Sequence, residues 1–230
     1  MRPERGGRIT SLRLRGEELL DQGIGVDDPS APGFVEGGAW GWDEMVPTVD
    51  ATDSLPDHGE AWRIPWQVTR AAGTELAMRC RGRVVPWELT RAIYLRDGAV
   101  VAVYTYRNAG REPHPAYWCA HPLFRFEPDM EIGVPVPHVG EGSSTKVFLP
   151  KGYVDRVPLK WPSGTEVQVR WDPELTPYVA VWVCNGDLGG YRQVAIEPAT
   201  GGGDRPDPSQ PAPMLGPGKT YRWWLAIEPL

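Results

Sequence analysis

The chain has 230 residues, 41% of them hydrophobic and 23% charged, with a net charge of −6 at pH 7. Its 11 tryptophans and its apolar share exclude a disordered chain, although glycine and proline together approach a quarter of it. The acidic balance leaves no electrostatic footprint for nucleic acid, and no stretch reaches the ~18 uninterrupted apolar residues of a membrane span. In chain order, Arg8–Leu14 alternates apolar and polar residues and reads as a first strand. Asp21–Trp42 is glycine-rich and weakly patterned, a loop. Trp62–Ala71, Glu75–Arg83 and Trp87–Arg96 follow as strands. Ala99–Asn108 is β-branched and aromatic, and the Asp97-Gly98 pair before it predicts a tight hairpin with the preceding strand. Ala116–Glu127, Val167–Trp171, Tyr178–Cys184, Gln193–Glu197 and Thr220–Glu228 complete the series. In the last of these, Tyr221, Trp223, Leu225 and Ile227 share one face at period two. The glycines and prolines of Ala199–Gly218 predict a long surface loop.

About ten short strands separated by turn signals predict an all-β protein, a large antiparallel β-sandwich or barrel, in one domain over residues 1–230. The only helix-like patch, Glu17–Gln22, is too short to matter. Cys80, Cys119 and Cys184 match neither a zinc spacing nor a disulfide framework, and read as small buried hydrophobes in a reducing cytoplasm. No apolar segment follows Met1-Arg2-Pro3-Glu4-Arg5, so no signal peptide is expected and a cytoplasmic location is.

Nucleophile and phosphate-loop motifs are absent: there is no G-x-S-x-G elbow, and Gly201-Gly202-Gly203 opens a proline-rich loop rather than a helix. His58, His114, His121 and His138 lack the close spacing of a metal motif, so no metal and no organic cofactor is expected. Three segments carry chemistry. Asp43 and Glu44 beside Trp42, and Asp57-His58-Gly59-Glu60 before Trp62, combine carboxylates, imidazole and indole. That set suits a sugar, whose hydroxyls hydrogen-bond and whose C–H faces pack on rings; it equally suits turn-capping aspartates and a surface histidine. His121 lies among Trp118, Cys119, Leu123 and Phe124, as either a core histidine or a general acid. Glu197 ends an apolar strand at Pro198, where a carboxylate is costly unless it is paired, used or turned to solvent. Together, Glu197 as general base and His121 as general acid can open a cyclic hemiacetal. Such a pair should face one cleft, roughly a sugar ring apart.

These segments resemble, in order, the aldose 1-epimerase (galactose mutarotase-like) superfamily. Gly6-Gly7-Arg8-Ile9-Thr10-Ser11-Leu12 is similar to its first glycine-marked strand, and Asp57-His58-Gly59-Glu60 to its His-Gly segment. Trp118-Cys119-Ala120-His121-Pro122-Leu123-Phe124 resembles its central histidine, Ile196-Glu197-Pro198 the strand of its catalytic glutamate, and Leu215-Gly216-Pro217-Gly218 its closing turn. The resemblance implies a large β-supersandwich that interconverts sugar anomers by acid/base ring opening, with a small-molecule sugar as partner. His121 would be the general acid and Glu197 the general base. His58, Asp43, Glu44 and Trp62 would bind substrate, with Asp187 the candidate for the family's further aspartate. The alternative is a non-catalytic carbohydrate-binding domain on the same fold. The chain departs from the family in being short and in starting almost at the Gly-Gly strand. Arg63 also stands one place beyond the arginine slot of the sugar-phosphate branch.

Overall fold

The computed structural model describes residues 1–230 and is built almost entirely from strands. The first half runs β1 (Arg13–Leu14), β2 (Glu17–Glu18), β3 (Trp42–Met45), β4 (Gln67–Ala72), β5 (Glu75–Arg81), β6 (Trp87–Arg96), β7 (Ala99–Asn108) and β8 (His114–Pro115). The second half runs β9 (Cys119–Arg125), β10 (Glu131–Ile132), β11 (Ser143–Phe148), β12 (Arg156–Lys160), β13 (Glu166–Trp171), β14 (Tyr178–Asn185), β15 (Arg192–Ala199), β16 (Met214–Leu215) and β17 (Thr220–Pro229). A single 3-10 turn, Leu188–Gly190, is the only helical element. No helix is long and apolar enough to cross a membrane.

Two antiparallel sheets dominate. The larger has eight strands in the order β10-β12-β13-β17-β7-β6-β5-β4, and the smaller has five in the order β11-β14-β15-β9-β3. The β6–β7 hairpin runs from Trp87 opposite Asn108 to Arg96 opposite Ala99. Its turn residues Asp97 and Gly98 both have positive φ, +50° and +79°, which the tight turn requires and the Asp-Gly pair tolerates. The sheets pack face to face over a core of 39 buried residues, in which Tyr104 stacks on Trp223 and Trp118 packs tilted against both. Eight of the tryptophans are buried, which accounts for the unusual tryptophan content.

The five-stranded sheet has a second covered face, and alternation along its strands decides which residue faces where. On β15, Val194 and Ile196 enter the main core, while Ala195 and Ala199 join a smaller cluster of 14 buried residues on the other side. On β9, Ala120 and Phe124 point to the main core, and Cys119 and Leu123 point away. The outer face is roofed by the 21–41 and 46–66 loops and by the loop after β15. Phe34, Val49, Trp62 and Ala212 supply its apolar packing.

Several sequence expectations shift. Arg8–Leu14 is not a continuous strand: Ile9 makes one bridge to Trp42, and only Arg13–Leu14 pairs further on. Residues 62–66 are turn and loop, so that strand begins at Gln67. The glycine-rich loop after β15 is only partly a surface loop, since Thr200, Gly201 and Gly202 are buried beneath the outer face. Among strands of four or more residues, β3, β11 and β12 were not expected, and Glu17–Glu18, in the helix-like patch, is the short strand β2 instead. All three cysteines are buried and unpaired.

Candidate active site

The register of the outer face brings the histidine and the glutamate together. Ala195 lies opposite Leu123 and Ala199 opposite Cys119, which brackets Glu197 of β15 against His121 of β9. The His121 Nε2 to Glu197 Oε1 distance is 3.6 Å. Both side chains are buried at the floor of an open pocket of about 220 Å³, lined also by Phe34, His58, Lys146, Trp182, Tyr191 and Asp204. That volume lies below the ~300 Å³ at which pockets for drug-sized ligands begin, and suits a small polar molecule. The two groups face one cleft, but they sit closer than a sugar ring is wide. Glu197 Oε1 and His121 Nδ1 are buried atoms with no hydrogen-bond partner within the chain. Eleven buried side-chain nitrogen and oxygen atoms lack a partner within the chain, and these two are the ones whose residues line the pocket, where a ligand's polar groups can meet them.

His58 reaches the same pocket from the 46–66 loop. Its ring centroid lies 5.5 Å from that of His121, nearly perpendicular to it, and it stacks on Phe34 at 4.5 Å. His58 has a left-handed backbone (φ +55°), followed by Gly59 at φ +67°. A Cβ on Gly59 would stand 2.1 Å from the Val46 carbonyl oxygen, so glycine at 59 is a steric requirement of this turn. Asp57 fixes the ring: its Oδ1 is 2.9 Å from His58 Nδ1, and its Oδ2 accepts the Phe34 N–H at 2.7 Å. Burial opposes the Asp57 charge, but these bonds outweigh it and hold the carboxyl below its ordinary value. An ionised carboxylate only accepts, so Nδ1 carries the hydrogen.

Lys146 and Asp204, which no motif in the sequence marks, complete the site. Lys146 Nζ is 2.7 Å from Glu197 Oε2 and donates to Asp204 Oδ1 at 2.6 Å. Lys146 sits on the edge strand β11, opposite Trp182. Its only sequence signal was a lone lysine in the polar run Ser143-Ser144-Thr145-Lys146. Asp204 lies just after the glycine triplet, and nothing in its local sequence marks it.

Four of the expected substrate-binding residues do not line this pocket. Asp43 is on the pocket side of β3, directly opposite His121. It is fully buried, however, and its Oδ2 accepts two bonds from Arg8, at 2.9 and 2.6 Å. Glu44 points the other way, into the main core, because neighbouring strand residues face opposite sides. There Oε1 accepts from Arg91 Nη1 at 2.7 Å and the Tyr104 hydroxyl at 2.9 Å, and Oε2 accepts from Trp118 Nε1 at 2.7 Å. Trp62 is buried behind Phe34, edge to face at 5.1 Å, with Arg5 and Arg63 on its own faces. Asp187 is exposed at the 3-10 turn, where it accepts the Ser144 hydroxyl at 2.6 Å.

The electrostatics follow from burial. Burial holds the His121 imidazole well below its ordinary range, and the charges of His58, Lys146 and Arg8 act in the same direction. Burial pushes the Glu197 carboxyl up, against the pull of Lys146. For Lys146 itself, burial favours the neutral amine, but Glu197 and Asp204 outweigh it and keep the ammonium charged. No group of three or more His, Cys, Asp or Glu side chains converges as a metal site.

No protein-family model and no curated protein matches the chain. Solved structures do. The Slr1438 protein from Synechocystis superimposes with a TM-score of 0.78 at 17% identity, over 98% of this chain and 89% of that one. A candidate aldose 1-epimerase from Escherichia coli K12 gives 0.78 at 15% identity, over 99% and 94%. A galactose mutarotase-like protein from Lactobacillus casei gives 0.76 at 16% identity, over 99% and 95%. The chain has the galactose mutarotase-like β-sandwich fold. It spans 89–95% of each of these structures.

Proposed function

We propose that the chain is an aldose 1-epimerase-like isomerase that interconverts the anomers of a small sugar. The observation that carries this reading is the unpartnered Glu197 Oε1 at the pocket floor, 3.6 Å from Nε2 of His121, a ring whose Nδ1 is also unpartnered. The ring oxygen and the anomeric hydroxyl oxygen are bonded to one carbon. They lie closer together than a hydrogen-bond length, so a base and an acid this near each other reach both.

The reaction needs one proton in and one proton out. Glu197 Oε1 takes the proton of the C1 hydroxyl while His121 gives its proton to the ring oxygen. The bond between C1 and the ring oxygen breaks, and C1 becomes an aldehyde carbon. Rotation about C1–C2 presents the other carbonyl face. Ring closure returns the proton from Glu197 to the C1 oxygen, and His121 recovers its own from the attacking hydroxyl. Phe34, Trp182 and Tyr191 supply apolar surface for the sugar's C–H faces, and His58 and Gln193 supply polar contacts. The chemistry calls for no metal or organic cofactor.

Polarimetry of freshly dissolved single anomers tests this reading. The wild-type protein is expected to speed relaxation to the equilibrium rotation, and Glu197→Gln and His121→Ala are each expected to lose that effect. Unchanged rates in both variants would remove the basis of the role assignment. A second reading, sugar binding without chemistry, is favoured by one observation: burial keeps the His121 imidazole in its neutral form, which has no ready proton for the ring oxygen. Calorimetric binding of a sugar whose anomers the protein does not interconvert would select it.

A further inference from the structure

The two oxygens of Glu197 have different neighbours. Oε1 faces His121 and has no hydrogen-bond partner within the chain. Oε2 lies 2.7 Å from Lys146 Nζ and 4.0 Å from the Cys119 sulfur. The ammonium that holds Oε2 is itself held at 2.6 Å by Asp204. Asp204 is in turn anchored through its backbone. Its carbonyl accepts the N–H groups of Val49 and Asp50 at 2.9 and 2.8 Å and the Thr48 hydroxyl at 3.2 Å. The neighbouring Gly203 carbonyl accepts the Tyr117 hydroxyl at 2.6 Å. Lys146 is therefore fixed between a sheet carboxylate and a loop that two other segments tie down.

A free carboxylate presents two equivalent oxygens and turns about its terminal bond. An ion pair on one oxygen removes both the equivalence and the rotation. We propose that Lys146 is a positioning residue: by holding Oε2 of Glu197 it reserves Oε1, beside His121, as the oxygen that takes the anomeric proton. This assignment rests on the reaction proposed above, and it adds a residue and an atomic role to it. It also explains how a carboxylate this deeply buried can serve as a base. The groups facing Glu197 are Lys146 from β11, His121 and Cys119 from β9, Asp204 and Tyr117 around the glycine-rich loop, and His58 from the opposite loop. Burial keeps the Cys119 thiol and the Tyr117 phenol protonated, and Asp204 adds a like charge. Lys146 is the cation in direct contact, and it opposes the burial that would protonate Glu197.

The test is a carbon-13 NMR titration of the Glu197 carboxyl in the full chain, with kcat and KM measured on the same samples. In Lys146→Met, and in Lys146→Gln should the methionine variant not fold, the Glu197 midpoint is expected to rise by about 1 to 3 pH units. The kcat is expected to fall about 10- to 100-fold with a much smaller change in KM, the pattern of a displaced catalytic group. Lys146→Arg keeps the charge and is expected to restore the midpoint and part of kcat. A Glu197 midpoint that does not move in the neutral variants overturns the assignment, as does a moved midpoint with wild-type kcat. The titration needs no sugar. A wild-type protein that epimerises nothing would therefore sink the proposed reaction, while the midpoints would still report whether Lys146 controls the carboxylate.

Discussion

Glu44 and Glu197 are two buried glutamates on the same five-stranded sheet, facing opposite ways into opposite surroundings. Glu44 enters the main core, where Arg91, Tyr104 and Trp118 donate to its two oxygens. Glu197 enters the outer face, where Lys146 holds one oxygen and the other faces His121 with no hydrogen bond. Burial tends to protonate both. What separates them is satisfaction. A buried carboxylate whose oxygens all have donors is part of the architecture, because the fold has already met its desolvation cost. A buried carboxylate with a spare oxygen at a pocket floor keeps that capacity for something outside the chain. Asp43 stands between the two: Arg8 claims its Oδ2, while its Oδ1 is buried without a hydrogen-bond partner, but outside the pocket lining.

Exchanging the two glutamates' roles is the sharpest way to break this contrast. Glu197→Gln is expected to cut anomer interconversion by about 10²- to 10⁴-fold, as for the loss of one acid–base group. Its urea midpoint should stay close to wild type, since the amide fills the same space and Asp204 still pairs Lys146. Arg91→Leu is expected to do the reverse. It strands the Glu44 charge in the core and should cost about 3–5 kcal/mol of stability, read by urea unfolding, while the folded fraction keeps its rate. If Arg91→Leu abolished activity in protein that is still folded, the two faces would not be separable as described.

The pH profile gives a subtler test. The proposed reaction needs Glu197 ionised and His121 protonated. Burial raises the first and lowers the second, so kcat/KM should fall on the acid side from above the usual carboxylate value of about 4.3. It should fall on the alkaline side from below the usual imidazole value of about 6.5. The profile is expected to be a narrow bell on the acid side of neutrality, with limbs that belong to the coupled pair rather than to either residue. A flat profile extending well above pH 8 would contradict it.

The smallest effect concerns stability. The native state resists protonating His121, whereas the unfolded chain takes the proton near pH 6.5. The stability His121 contributes is therefore present above that pH and lost as the pH falls below it, by at most about 1.4 kcal/mol per pH unit. Glu197, with its raised value, acts in the opposite sense, so the comparison must be between proteins. Urea unfolding at pH 7.5 and pH 5.5 should show a larger acid loss in wild type than in His121→Asn. Equal losses would mean that the pocket does not hold the imidazole neutral.

Much of this was legible in the sequence, for identifiable reasons. The β6–β7 hairpin announced itself through an Asp-Gly turn between two alternating runs. His58, His121 and Glu197, which share the pocket, each sit in a local pattern that a sequence shows: a His-Gly turn, a histidine amid aromatics, a carboxylate closing an apolar strand. Lys146 was invisible because β11 is a half-exposed edge strand with a polar sequence, and its lysine matters only through a partner about fifty residues further on. Asp43 and Glu44 mislead for the complementary reason. Two adjacent acids look like a binding pair, but period two sends them to opposite faces, and the arginines that claim them come from distant segments. Arg8 and Arg91 decide which carboxylates are free, and neither is marked in the sequence near the acid it neutralises.

Exchange NMR at the C1 proton of a panel of aldoses, with wild-type protein and with Glu197→Gln, measures directly whether His121 and Glu197 act together on an anomeric centre. Exchange between α and β resonances is expected above the spontaneous rate for at least one sugar, with its loss in the variant. A sugar that binds in the pocket yet exchanges no faster than in buffer, across the whole panel, would contradict it.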